Sequence, residues 1–239
     1  MIISNDSSKA LVISKATEYE SWIKQYDLKT YTITFEEIIG GDIDHDFVKC
    51  KEVEQNNVGD KYAVVYCNNG NFKLRTFGKT QRTIEQIQEN EVEINNLLGI
   101  NDHTMPHEEL NDPFINCCFV NDSEIFIALF HGPSITHYHF IWDLEAKAIT
   151  SGPVSFKLEN STSKNFPFRS FFSPILDQIF CFYRTGESFT MSPDNLYDYR
   201  LEKIVDSELG QMYLVYDKIL VARCSTKIVF FRQIYNTDD

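Results

Sequence analysis

Between residues 114 and 149 three short apolar runs follow one another, and their spacing confines this stretch to antiparallel β structure. The first run, Phe114–Val120, meets the turn Asn121-Asp122-Ser123, and the second, Ile125–Phe130, ends before a loop at Gly132-Pro133. The third, His137–Trp142, closes on Trp142-Asp143-Leu144. Runs this short and this rich in β-branched and aromatic residues suit strands better than helices. Connections of a few residues set consecutive strands side by side as a meander.

The pattern recurs along the chain. Ile2-Ile3, the turn around Asn5-Asp6-Ser7, and Leu11-Val12-Ile13 repeat its opening, and Tyr26-Asp27-Leu28 repeats its close with Tyr for Trp. A helix competes over residues 17–28, because Thr17 and Glu20 make a capping box and Tyr19, Trp22, Ile23 and Tyr26 fall at helical spacing. The recurring Tyr-Asp-Leu and Trp-Asp-Leu ends favour the strand. Tyr62–Cys67 and Phe72–Phe77 flank an Asn-Gly pair, the strongest short hairpin signal, since both residues tolerate positive φ. A fourth unit runs from Phe168 through Ser173-Pro174, Ile179–Tyr183 and Leu196–Ile204, with Tyr199 near the position of Trp142. A fifth comprises Met212–Tyr216, Ile219–Ala222 and Lys227–Ile234. Ile3, Phe119, Phe172 and Val215 serve as equivalent residues just before the first turn of a unit.

Residues 83–98 break the pattern. Ile84, Ile87, Ile94 and Leu98 fall at three- and four-residue spacing with Glu91 in the missing slot. Thr83 and Gln86 make a capping box, and Gly99 supplies a stop. The spacing predicts a helix inserted over about 83–98. Its stripe Ile84, Ile87, Ile94 and Leu98 either packs on its own domain, the commoner use of such a face, or binds a partner. Residues 101–113 read as loop.

A strand ending in Trp-Asp, within units of this length, resembles the WD repeat, whose period is about 40–45 residues. Phe-Ser-Pro shortly before an Asp, at 172–177, is a further likeness. The resemblance is degenerate: one Trp-Asp is present, and no Gly-His dipeptide opens a unit. It implies an all-β, single-domain propeller spanning 1–239, built from about five WD-like blades with one inserted helix. Kelch-type and other propellers, and a β-rich domain that is no propeller, stay open as alternatives. In the repeats it resembles, the Trp-Asp pair holds strand ends together. The chain opens on an inner strand, and its fifth unit has three strands. This leads us to expect a ring that its own residues do not close. A partner completing it in trans, dimerisation, or a longer polypeptide would then supply the rest.

Composition limits the function. With 43% hydrophobic and 14% aromatic residues the chain can bury a core. A formal net charge of −13 without any basic run disfavours nucleic acid as a direct partner and opposes self-association at close range. No stretch approaches the roughly 18 apolar residues of a membrane span, and the N-terminus carries no signal-peptide pattern. The six cysteines are scattered without zinc spacing, as expected of reduced thiols in the cytoplasm or nucleus. Cys117 and Cys118, adjacent in a strand, point to opposite faces.

Candidate chemistry is sparse. His137 and His139 share a strand face and could grip a metal with His131, but His139 sits where a blade places a core residue. Asp42, Asp44, His45 and Asp46 read as a solvated turn, lacking the Gly and distal Glu of a calcium loop. No nucleophile elbow, P-loop or dinucleotide fingerprint is present. The sequence therefore assigns no catalytic, metal or cofactor residue. It reads as a non-catalytic intracellular scaffold or subunit of a larger complex that binds protein partners. The alternative is a five-bladed glycoside-active enzyme with central carboxylates.

Overall fold

The computed structural model describes residues 2–3, 8–15, 21–39, 48–55, 61–68, 71–78, 91–100, 115–131, 134–158, 167–174, 176–203, 209–215, 219–224 and 228–232. Its strands form five antiparallel sheets, each joining strands consecutive in sequence. The first holds β1 (Ile2–Ile3), β2 (Lys9–Lys15), β3 (Ser21–Asp27) and β4 (Thr32–Ile39). The second holds β5 (Val48–Gln55), β6 (Lys61–Asn68), β7 (Asn71–Gly78) and β8 (Glu91–Glu93). The third holds β9 (Ile115–Phe119), β10 (Glu124–His131), β11 (Thr136–Asp143) and β12 (Ala148–Phe156). The fourth holds β13 (Pro167–Ser173), β14 (Gln178–Tyr183), β15 (Glu187–Ser192) and β16 (Asn195–Lys203). The fifth has three strands, β17 (Leu209–Val215), β18 (Ile219–Cys224) and β19 (Ile228–Arg232).

These are the blades of a β-propeller. Their first strands are neighbours in sequence order, β1 beside β5, β5 beside β9, β9 beside β13 and β13 beside β17. Among the described residues no strand of the fifth sheet packs on the first in the same way, so the arc is open there. Ile3, Phe119 and Val215 end the first strands of their sheets, and Phe172 is one residue from the end of its own.

Two turns show why the Asp of the repeated motif recurs. Asp143 Oδ1 accepts backbone N–H bonds from Glu145 and Ala146, both at 2.7 Å. Asp27 Oδ1 accepts them from Lys29 at 2.8 Å and Thr30 at 2.9 Å. Each carboxylate satisfies two donors of a four-residue turn that ends in a left-handed residue, Lys147 (φ 52°) or Tyr31 (φ 55°). The following Leu then clips this turn to the first turn of its own sheet. Leu144 N–H donates to Ser123 O, and Leu28 N–H to Ser8 O, both at 2.8 Å. Residues 21–27 are accordingly strand, not helix.

The third sheet is buried on both faces, so β10 is apolar without alternation. Ile125, Ile127 and Leu129 face a core shared with Ala63, Val65, Phe72 and Leu74 of the second sheet. Phe126 and Ala128 face a core shared with Ile179, Cys181, Tyr183, Phe189 and Met191 of the fourth. Cys117 joins the first core and Cys118 the second, on opposite faces as the pleat requires.

Two expectations change. Glu91–Glu93 is a strand, with Val92 paired to Leu74, and the described helix, α1, covers only Ile94–Leu98. The sheet wins because Val92, between two glutamates, reaches the core in period two. Residues 83–90 lie outside the described residues, as do 101–113 and the cluster at 42–46. Gly99 does end the helix, in the left-handed conformation at φ 65°. Tyr199 lies one strand further out than Trp142, and its partner Met191 holds the comparable third-strand place.

Candidate functional site

A cluster of buried titratable groups lies in the seam between the third and fourth sheets. His137 and His139 leave the same face of β11, as alternation predicts. His139 Nε2 and the Tyr183 hydroxyl are 3.0 Å apart, with both side chains buried. His137 is stacked between Phe130 at 4.7 Å and Phe156 at 5.3 Å, with the Tyr183 ring edge-on at 5.1 Å. Phe189 stands edge-on to His139 at 5.4 Å. Burial disfavours the imidazolium and lowers His137 to about 4. Burial also lowers His139 to about 3, with His137 adding to the effect. His139 is thus a hydrogen-bonded core histidine, and both rings are neutral near pH 7.

Closer to the inner strands, Ser170 Oγ on β13 donates to Asn116 Oδ1 on β9 at 2.5 Å, fully buried. Ser170 also bonds to Cys181, but burial dominates and pushes that thiol up to about 12. Burial likewise raises the Tyr183 hydroxyl well above its ordinary value. A thiol so protonated is a poor nucleophile. His131 Nδ1 and Ser134 Oγ are 2.7 Å apart, at the end of β10. Among the described residues no group of three His, Cys, Asp or Glu side chains could hold a metal ion. The geometry of this seam is that of a packed core, with Asn116 Nδ2 buried and without a hydrogen-bond partner.

The outer rim differs. On β16, Tyr197 is 66% exposed, Tyr199 39% and Leu201 46%. They alternate in sequence with Asp198, Arg200 and Glu202 on an outermost strand whose pairing with β15 is regular from Tyr199 to Lys203 and irregular over residues 196–198. Tyr199 leans on Phe189 at 5.3 Å and Phe156 at 5.7 Å, and the Tyr197 hydroxyl reaches Pro153 O at 3.4 Å. Tyr197 and Tyr199 therefore border the third sheet while remaining exposed to solvent. Alternation in Tyr197-Asp198-Tyr199-Arg200-Leu201-Glu202 is legible as a strand, but such a pattern ordinarily means that the apolar face is inside. That is why sequence reasoning passed over it.

Of the stripe proposed for a partner, Ile94 is fully buried among Phe72, Leu74 and Ile115. Leu98 is half-buried against the same core, while Leu97 beside it is 38% exposed. Asn95 Oδ1 accepts the Phe72 N–H at 2.7 Å and fastens the helical turn to β7. Ile84 and Ile87 lie outside the described residues. Cys117, Cys118 and Cys181 are buried thiols. Among the described residues no helix is long and apolar enough to cross a membrane.

No family model and no curated protein matches the chain. Solved structures do. The β-propeller domain of Cps50 (Swd1) from Myceliophteria thermophila superposes with a TM-score of 0.61 at 11% identity, over 99% of this chain and 66% of that one. A functionally unknown protein from Desulfotomaculum acetoxidans DSM 771 gives 0.57 at 13% identity, over 97% of this chain and 64% of that one. The chain thus spans a little under two thirds of the length of these two structures. At such identity the likeness is one of fold, and the fold is a β-propeller.

Proposed function

We propose that this chain is a non-catalytic protein-interaction module, a scaffold or a subunit of a larger assembly, working in the reducing cytoplasm or nucleus. The observation that carries the reading is the exposed row Tyr197, Tyr199 and Leu201 on the outer strand of the fourth sheet. Aromatic side chains in a row on an edge strand are the chemistry of protein contact, since water solvates them poorly and an unpaired edge invites another strand. The buried ionisable groups support it: two neutral histidines, a protonated thiol and a protonated phenol offer no activated nucleophile. The five first strands contain two carboxylates, Glu52 and Glu54, both within β5, which gives little support to a central glycosidase site. The outer edge of β19, in the three-stranded sheet, offers a second place where a partner could add a strand and complete the arc.

The test uses the purified chain as bait in extract from its source cells, beside a variant carrying Tyr197→Ser, Tyr199→Ser and Leu201→Ser. A protein retained in near-stoichiometric amount by the parent and lost by the variant is the expected result. Equal retention by both removes the rim from the proposal. Absence of any stoichiometric partner, with hydrolysis of a panel of aryl glycosides, overturns the non-catalytic reading.

A further inference from the structure

We propose that the partner of the rim is a basic protein segment, rich in Arg and Lys, laid along β12 and β16 with its charges toward the end where those strands begin. This rests on the reading of the rim as a protein contact and names the chemistry of what it contacts. The first observation is how the charge is distributed. Residues 83–146 hold twelve of the 35 carboxylates and none of the 22 Lys and Arg residues, so the rest of the chain is within one charge of neutral. The acidity belongs to one stretch, and that stretch includes β9, β10 and β11 of the third sheet.

The fold gathers part of this charge at one end of the sheet. Glu124 opens β10, Asp143 closes β11, and the two are paired directly across the ladder. Asp122 and Glu145 lie in the adjoining turns, which the bond from Leu144 N–H to Ser123 O holds together. Like charges directly opposite are destabilising, and a cation brought to them relieves the repulsion. The groups that donate to this pair are uncharged: the Asn121 amide and the Thr150 hydroxyl on Glu124, and two backbone N–H groups on Asp143.

The exposed rim runs up to this end. Tyr197 reaches Pro153 and Tyr199 reaches Phe156, so β16 and β12 run the same way. β12 begins opposite Asp143. Thr150, bonded to Glu124, is three residues from Pro153, at most about 10 Å along the strand. Asp194 and Asp198 add exposed carboxylates at the start of β16, whereas Lys157 and Lys203 stand at the far ends of the two strands. Lys147 opposes the charge of the acidic end but is outnumbered there. Arg and Lys suit both parts of this surface. Their aliphatic stems cover apolar side chains, a guanidinium stacks on a tyrosine face, and the carboxylates meet the charge. An acidic partner would find the same rings but be repelled by the field around them.

Fluorescence anisotropy tests this with the intact chain and a labelled peptide in which Arg alternates with Ala and Leu, beside the same peptide with Glu for every Arg. Saturable binding of the Arg peptide alone is expected, weaker at about 0.3 M than at about 0.05 M salt. The variant carrying Tyr197→Ser, Tyr199→Ser and Leu201→Ser should lose about tenfold or more in affinity. Glu145→Gln with Asp198→Asn should lose roughly three- to tenfold, and Glu36→Gln with Glu37→Gln, on β4 of the first sheet, less than about twofold. The five rim and turn side chains are exposed, so the fold tolerates their replacement. No saturable binding, equal binding of both peptides, or binding no more sensitive to the rim and its carboxylates than to β4 overturns the basic partner. If the Arg peptide fails while the rim variant still loses a protein captured from extract, the rim remains a protein contact and only the partner's charge is wrong. If the rim variant loses neither the peptide nor a captured protein, both readings fall.

Discussion

The two neutral histidines make the fold sensitive to acid in a way that can be worked out. In the unfolded chain an imidazole titrates near 6.5, whereas burial lowers His137 to about 4 and His139 to about 3. The unfolded state therefore binds more protons as pH falls, and stability must drop with it. The contribution is fully present above about 6.5, shrinks below it, and keeps shrinking until the folded groups titrate near 4 and 3. At pH 5 each histidine has removed about 2 kcal/mol, or about 4 kcal/mol for the pair. Both side chains are almost wholly buried, so solvent screening offsets little of this. Against a typical total of about 5–15 kcal/mol the loss is large. Urea unfolding at pH 8 and pH 5 measures it. His139→Gln keeps a hydrogen-bonding group near the Tyr183 hydroxyl and cannot titrate. The variant should be the less stable at pH 8, and its deficit should shrink by about 2 kcal/mol at pH 5. Other carboxylates and histidines cancel in that difference. A deficit that stays constant with pH would refute a neutral buried His139.

Asp143→Ala removes the acceptor of two backbone N–H bonds and should cost about 1–3 kcal/mol, while Asp143→Asn, which keeps an acceptor, should recover most of it in thermal melts. Gly152→Ala places a Cβ 2.7 Å from His139 O at φ +87°, so a loss of about 2–4 kcal/mol and poor soluble yield are expected, with an unchanged melting temperature counting against the packing described. Ile94→Ala should cost about 2–5 kcal/mol, whereas Leu97→Ser should stay within about 0.5 kcal/mol. Equal effects at the two positions would mean that the turn does not pack through Ile94.

What could be read from the sequence was what short-range physics decides. Asp27 and Asp143 act within their own turns, so their equivalence was visible as a repeated tripeptide. The Asn-Gly hairpin was visible for the same reason. The end of β12 was hidden, because Ser151-Gly152-Pro153 reads as a breaker. The structure accepts it on an outermost strand, opposite irregularities of register at His139–Trp142. The over-long helix came from a stripe in which Ile94 and Leu98 are truly helical, whereas Val92 answers to a sheet that the local period does not contain. Asn116 with Ser170, and His139 with Tyr183, are joined across sheets and far apart in sequence. No local pattern announces such pairs. The β16 row was legible as a strand, but which face meets water depends on how the neighbouring sheet is placed.

Each sheet joins only strands that are consecutive in the chain, and this bears on how the polypeptide is made. A nascent chain leaving the ribosome can finish the hydrogen bonding of one sheet before the next has been synthesised. No strand waits for a distant mate, so loop-closure entropy is small at every step and the slow search common to β proteins is avoided. The cores between sheets form only after two neighbours exist. Synthesis therefore exposes one apolar sheet face at a time, and the third sheet, apolar on both faces, is the one for which pausing is most hazardous. Translation speed through residues 115–203 should accordingly govern soluble yield more than speed through the first sheet.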